Sequence, residues 1–84
     1  MLGTRRPDGT EAHWLDAGDY SLCEGSWWCC APNGARGNLS SHDVVEHDDG
    51  TVTVSPSILI SDSVNGQRRD VYHGYLERGE WREV

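Results

Sequence analysis

Apolar and polar residues alternate through residues 51–61. Val52, Val54, Ile58 and Ile60 fall on one face of an extended chain. Thr51, Thr53, Ser55, Ser57 and Ser61 fall on the other, with Leu59 the exception. A period of two marks a half-buried strand. Pro56 interrupts it and has no N–H to give to a ladder, so it marks a bend, a bulge or an edge position. Turn signals flank this strand at Asp49-Gly50, Asn65-Gly66 and Arg78-Gly79. Asx-Gly pairs supply the positive φ that tight hairpins require, and Gly79 suits the left-handed position of a corner. The pattern predicts an antiparallel meander from about Val44 onward, with further strands over 68–76 and 80–84.

Upstream, residues 24–30 read as a strand, with Trp27 and Cys29 on one face and Trp28 and Cys30 on the other. Residues 31–37 read as a loop punctuated by Pro32, Gly34 and Gly37, and 38–47 as a second strand. Residues 1–22 lack periodicity. Gly3, Pro7, Gly9 and Gly18 break any helix there, which predicts an extended N-terminal arm with at most one short strand near Trp14. The expectation is an arm over 1–22 and a single small all-β domain over 23–84. That domain is an antiparallel β-meander, sandwich or partly open barrel of roughly five or six strands. Its expected core is Trp27, Cys29, Val44, Val52, Val54, Ile58, Ile60, Tyr75 and Trp81.

A chain of 84 residues with four Trp and no Phe has a thin core built on a few large anchors. Every strong base is Arg; there is no Lys. The net charge of -7 opposes binding to a nucleic-acid backbone and favours solubility and a protein partner. The basic pair Arg5-Arg6 is followed by no apolar run, so no signal peptide is expected, and no segment is long enough to span a membrane. Three cysteines, two of them vicinal, do not make a disulfide framework. Reduced thiols fit a virion or host-cytoplasm location.

Two motifs carry a resemblance. One runs Glu46-His47-Asp48-Asp49-Gly50-Thr51-Val52-Thr53-Val54-Ser55-Pro56-Ser57-Ile58-Leu59. The other runs His73-Gly74-Tyr75-Leu76-Glu77-Arg78-Gly79-Glu80-Trp81-Arg82-Glu83-Val84. With them, the stretch from Asp43 to Val84 resembles a family of small proteins of actinobacterial phages, a domain of unknown function. The resemblance implies a phage origin and a compact β fold, and the all-Arg composition is compatible with a GC-rich genome. Some broader relatives look zinc-binding, with a cysteine-rich knuckle upstream. This chain departs from them: only Cys30, with Cys29 beside it, stands in the knuckle region, and Asp70 stands where relatives place a cysteine.

The candidate metal ligands are Cys23, Cys30 and His73, which a zinc site requires to meet through space because Cys29-Cys30 lacks knuckle spacing. Otherwise no cofactor is expected. The row Ser41-His42-Asp43 has triad residue types, but neighbours on a strand cannot face one another. A Cys30–His73 pair lacks the electropositive setting that a thiolate needs. Gly34-Ala35-Arg36-Gly37 matches a short phosphate-clamp pattern without its flanking helices or charge. Acidity of this kind also serves DNA mimics, but here many acids sit at turns. Trp14, Trp28, Arg68 and Arg69 are the candidate protein-binding residues, although charged residues on an edge strand also serve to block aggregation. The expected function is a non-enzymatic phage structural module, a virion-surface or minor capsid component bound to a capsid protein or to further copies of itself. The alternatives are an early accessory protein that binds a host or defence factor, and a zinc-binding regulatory domain.

Overall fold

A computed structural model describes all residues, Met1–Val84. The chain is all-β. Eight strands form two four-stranded sheets, and the one helical element is a 3-10 turn at Ala12–Trp14. No helix is long and apolar enough to cross a membrane.

The first sheet holds β1 (Thr4–Arg5), β2 (Asp19–Cys23), β3 (Ser26–Cys30) and β4 (Arg36–Asn38) in that order. β1 runs parallel to β2, and the other pairs are antiparallel. The second sheet is the predicted meander: β5 (Asp43–Glu46), β6 (Val52–Val64), β7 (Gln67–Glu77) and β8 (Glu80–Glu83). Asn65-Gly66 and Arg78-Gly79 both have positive φ at the two turn positions (54° and 78°, 48° and 78°), as type I′ hairpins require. At the tip between β5 and β6, the Asp49 carboxylate accepts from the Thr51 N–H at 3.0 Å and from its hydroxyl at 2.6 Å. Those bonds hold the Asp49 carboxyl below its usual range.

The core lies between the sheets. Tyr20, Cys29 and Leu39 from the first half meet Val52, Val54, Ile58, Ile60, Tyr72, Leu76 and Trp81 from the second. Trp27 and Val44 pack against this cluster while half-buried. Gly37 lets the sheets approach: a Cβ there would stand 3.1 Å from the Ile60 side chain.

Three expectations differ from the structure, and the one for Pro56 holds as a bulge. Residues 38–47 are not one strand; the chain leaves the first sheet after Asn38 and joins the second at Asp43. Residues 1–22 are built into the body. Their backbone bonds to the β7–β8 turn and to β8, through Gly3 N–H to Gly79 O (2.7 Å) and Trp81 N–H to Met1 O (2.8 Å). Leu15, Tyr20 and Ser21 are buried, and Asp19–Cys23 is a central strand. Tyr75 lies on the outer face, its ring 4.6 Å from the Arg82 guanidinium, while Tyr72 and Leu76 fill the core. A shift of one residue exchanges the faces of a strand, and 71–76 carries apolar residues on both. Pro56 is exposed although it shares the parity of Val54 and Ile58, because the register slips between those two residues. It marks a bulge inside one long strand.

Candidate functional site

Strand alternation decides where the ligand-type residues go. Cys23 lies opposite Ser26 and Cys30 opposite Arg36, at the two ends of β3. They are separated by about 13 Å of strand. Cys23 is half-buried, with its thiol 3.7 Å from the Gly9 carbonyl. His73 belongs to the other sheet, where its Nε2 sits 3.0 Å from the Ser57 hydroxyl. The expected set of Cys23, Cys30 and His73 is therefore not assembled, and no three ligand-type side chains converge elsewhere. Burial pushes the Cys29 thiol up to about 12. Burial also raises Cys30, partly offset by the nearby Arg36 guanidinium. Both buried thiols are therefore protonated near neutral pH, which is the wrong state for a nucleophile.

The outer face of the first sheet is roofed by the segment between β1 and β2. Arg36 latches this roof by donating to Ala12 O and Leu15 O, both at 2.9 Å. The Ser21 hydroxyl donates to Thr10 O at 2.7 Å. The Asp19 carboxylate accepts from the Asp16 N–H and the Arg6 guanidinium, both at 3.0 Å. Beside the 3-10 turn the roof stops short and leaves an open cleft of about 400 Å³, lined by Glu11, His13, Cys23, Glu24, Ser26 and Trp28. Trp14 stands at 66% exposure, tilted against the His13 ring at 4.8 Å. The two predicted tryptophans thus lie at or next to this cleft. Trp28 lines it, and Trp14 sits on the turn that borders it.

The predicted arginines lie elsewhere. β6 and β7 outrun both neighbours: β5 ends its pairing at Ser55, and β8 ends its pairing at Gly74. Past these points two side chains clasp the edges of the hairpin. His42 Nε2 donates to Ser57 O at 3.3 Å on one edge, and Asn33 Nδ2 donates to Val71 O at 2.8 Å on the other. Val71 is the extra residue where the register slips between Ile60 and Ser61, so Asn33 satisfies a carbonyl at the irregularity. Beyond the clasps the strands project as a bare ribbon, and every residue from Asp62 to Asp70 is exposed. Arg69 pairs across it with Asp62 at 3.1 Å. Arg68 donates to the Ser61 hydroxyl at 3.2 Å and lies 3.9 Å from Asp70. Such cross-strand pairs hold a two-stranded ribbon that has no core of its own.

The Glu24-Gly25 turn (φ 51° and 79°), which places Glu24 in the cleft, was legible only from its glycine between two apolar pairs. The clasping residues His42 and Asn33 carry no local signal, because each acts on a carbonyl distant in sequence. No protein-family model, no curated protein and no solved structure matches this chain.

Proposed function

We propose that this chain is a non-enzymatic protein-binding module that docks through its projecting β6–β7 ribbon, as a virion-surface or minor capsid component of a phage. The single observation that carries this reading is the bare ribbon: residues 62–70 are exposed on both faces and along both edges. An isolated two-stranded ribbon is marginal in water, and its free N–H and C=O groups are a template for another chain. Strand addition to such an edge is a common way of seating one protein on another. Arg68, Arg69, Asp62 and Asp70 frame that edge with balanced charge, which suits a polar rim around a backbone-paired contact. The buried, protonated thiols agree with a scaffold that holds rather than reacts. The phage setting comes from the resemblance of the two C-terminal motifs.

Mass spectrometry of purified particles tests this reading. Many copies per particle support it. A protein made in infected cells but missing from the particles rules out the virion role.

A further inference from the structure

The fold twice packs an arginine between an aromatic ring and a glutamate. The Arg5 guanidinium lies 5.0 Å from the Trp27 ring centre and donates to the Glu46 carboxylate at 3.0 Å. The Arg82 guanidinium lies 4.6 Å from the Tyr75 ring centre and donates to Glu77 at 2.8 Å. In each case the ring face attracts the cation and the carboxylate neutralises it. The glutamate bonds hold both arginines above the ordinary guanidinium range.

Trp28 is the neighbour of Trp27 on β3 and faces the opposite side of the sheet. There the same parts recur without the cation. Trp28 lines the open cleft together with two glutamates, Glu11 from the edge of the 3-10 turn and Glu24 from the β2–β3 turn. The one basic side chain lining it is His13, 3.7 Å from Glu11. No guanidinium of this chain lies over Trp28; the two ring contacts of that kind are at Trp27 and Tyr75. The cleft, about 400 Å³, is within the size range of sites that take a small group.

We infer that this cleft receives an arginine side chain of a protein partner, its guanidinium stacked on the Trp28 indole and bonded to Glu11 and Glu24. Arginine suits the site because its planar cation stacks on a ring while its fork of N–H groups reaches carboxylates at the rim. The net charge of -7 draws such a partner in. This inference deepens the protein-binding reading and rests on it, at a surface separate from the ribbon.

The test uses the full chain and a defined probe, the blocked tripeptide Gly-Arg-Gly, with the isosteric neutral Gly-citrulline-Gly beside it. The readout is the Trp28 indole N–H resonance in titrations followed by NMR. The arginine peptide is expected to shift that resonance saturably, and the citrulline peptide is not. The double variant E11Q/E24Q is expected to bind about tenfold more weakly, while E80Q/E83Q, on the far strand β8, binds as the parent does. Glu11 and Glu24 are exposed, so their exchange for Gln leaves the fold in place. Equal affinity for the two peptides, no saturable shift, or unchanged affinity in E11Q/E24Q overturns the inference. A chain that binds the arginine peptide yet never enters particles separates failure of the virion reading from failure of this one.

Discussion

Gly3→Ala probes whether the N-terminal segment is part of the fold. Gly3 sits in a crevice where an added Cβ would stand 2.5 Å from the Gly18 carbonyl and 2.9 Å from Trp81 Nε1. Those two atoms are joined by a buried hydrogen bond of 2.9 Å from the indole to the carbonyl. A methyl group at that spot has to part them and, in doing so, lifts residues 1–3 away from β8. Leaving the buried indole N–H without a partner costs about 1–3 kcal/mol. Losing the backbone bonds of Gly3 and Met1 to the β7–β8 turn and to β8 costs about 1 kcal/mol more. Replacing Gly stiffens the unfolded chain, which offsets about 0.5–1 kcal/mol. The net expectation is a loss of about 2 kcal/mol, which lowers Tm by about 8–16 °C in a domain of this size. Urea unfolding and a thermal scan, both followed by tryptophan fluorescence, measure it. Leu2→Ala, at a position 75% exposed, is the control and is expected to stay within about 0.5 kcal/mol of the parent. If Gly3→Ala were as harmless as Leu2→Ala, the segment would be a loose arm and the packing described for Trp81 would be wrong.

The parity of β7 is tested by a pair of variants. Leu76→Ala, at a fully buried position, is expected to cost about 3 kcal/mol, and Tyr75→Ala about 1 kcal/mol; a reversed order in urea unfolding would refute the register. The buried Cys29 sets an alkaline limit. Its pKa is raised in the folded state, so above about pH 9 the unfolded chain holds fewer protons and stability falls as pH rises toward about 12. Cys29→Ala is expected to flatten that fall in unfolding curves, and an unchanged slope would place its cause elsewhere. In native-state hydrogen exchange, the amides of 62–70 are expected to exchange far faster than those of Val52 and Val54. Equal protection would mean that the ribbon packs on the body.

The second sheet was largely legible in the sequence because its information is local. The alternation of 52–60 and the glycine turns at 65–66 and 78–79 each specify their own geometry. The first sheet was less so. β1 is a two-residue parallel strand that exists through pairing with Asp19 and Tyr20, and nothing in Thr4–Arg5 announces it. Tyr75 lies outside the core it was expected to join because both faces of 71–76 offer apolar side chains, and only the packing of Tyr72 over Gly74 decides between them. A Cβ at Gly74 would stand 2.5 Å from the Tyr72 hydroxyl, so that glycine is what admits the ring. Of the candidate site residues, Trp28 lines one cleft with Trp14 on the turn beside it, and Arg68 and Arg69 share one ribbon. Cys23 and Cys30 stand at opposite ends of β3 and His73 on the other sheet, neither of which residue type alone reveals.

The most direct test of the ribbon as the docking element is incorporation of a shortened chain into particles. Residues 62–69 are replaced by Asn-Gly, which joins Ser61 to its partner Asp70 through a two-residue hairpin turn. The removed part packs on nothing, so the shortened chain is expected to unfold within about 1 kcal/mol of the parent. Co-expressed with the full chain during particle assembly and counted by mass spectrometry, it is expected to be excluded while the full chain is retained in many copies. Equal incorporation of the two chains would contradict docking through the ribbon.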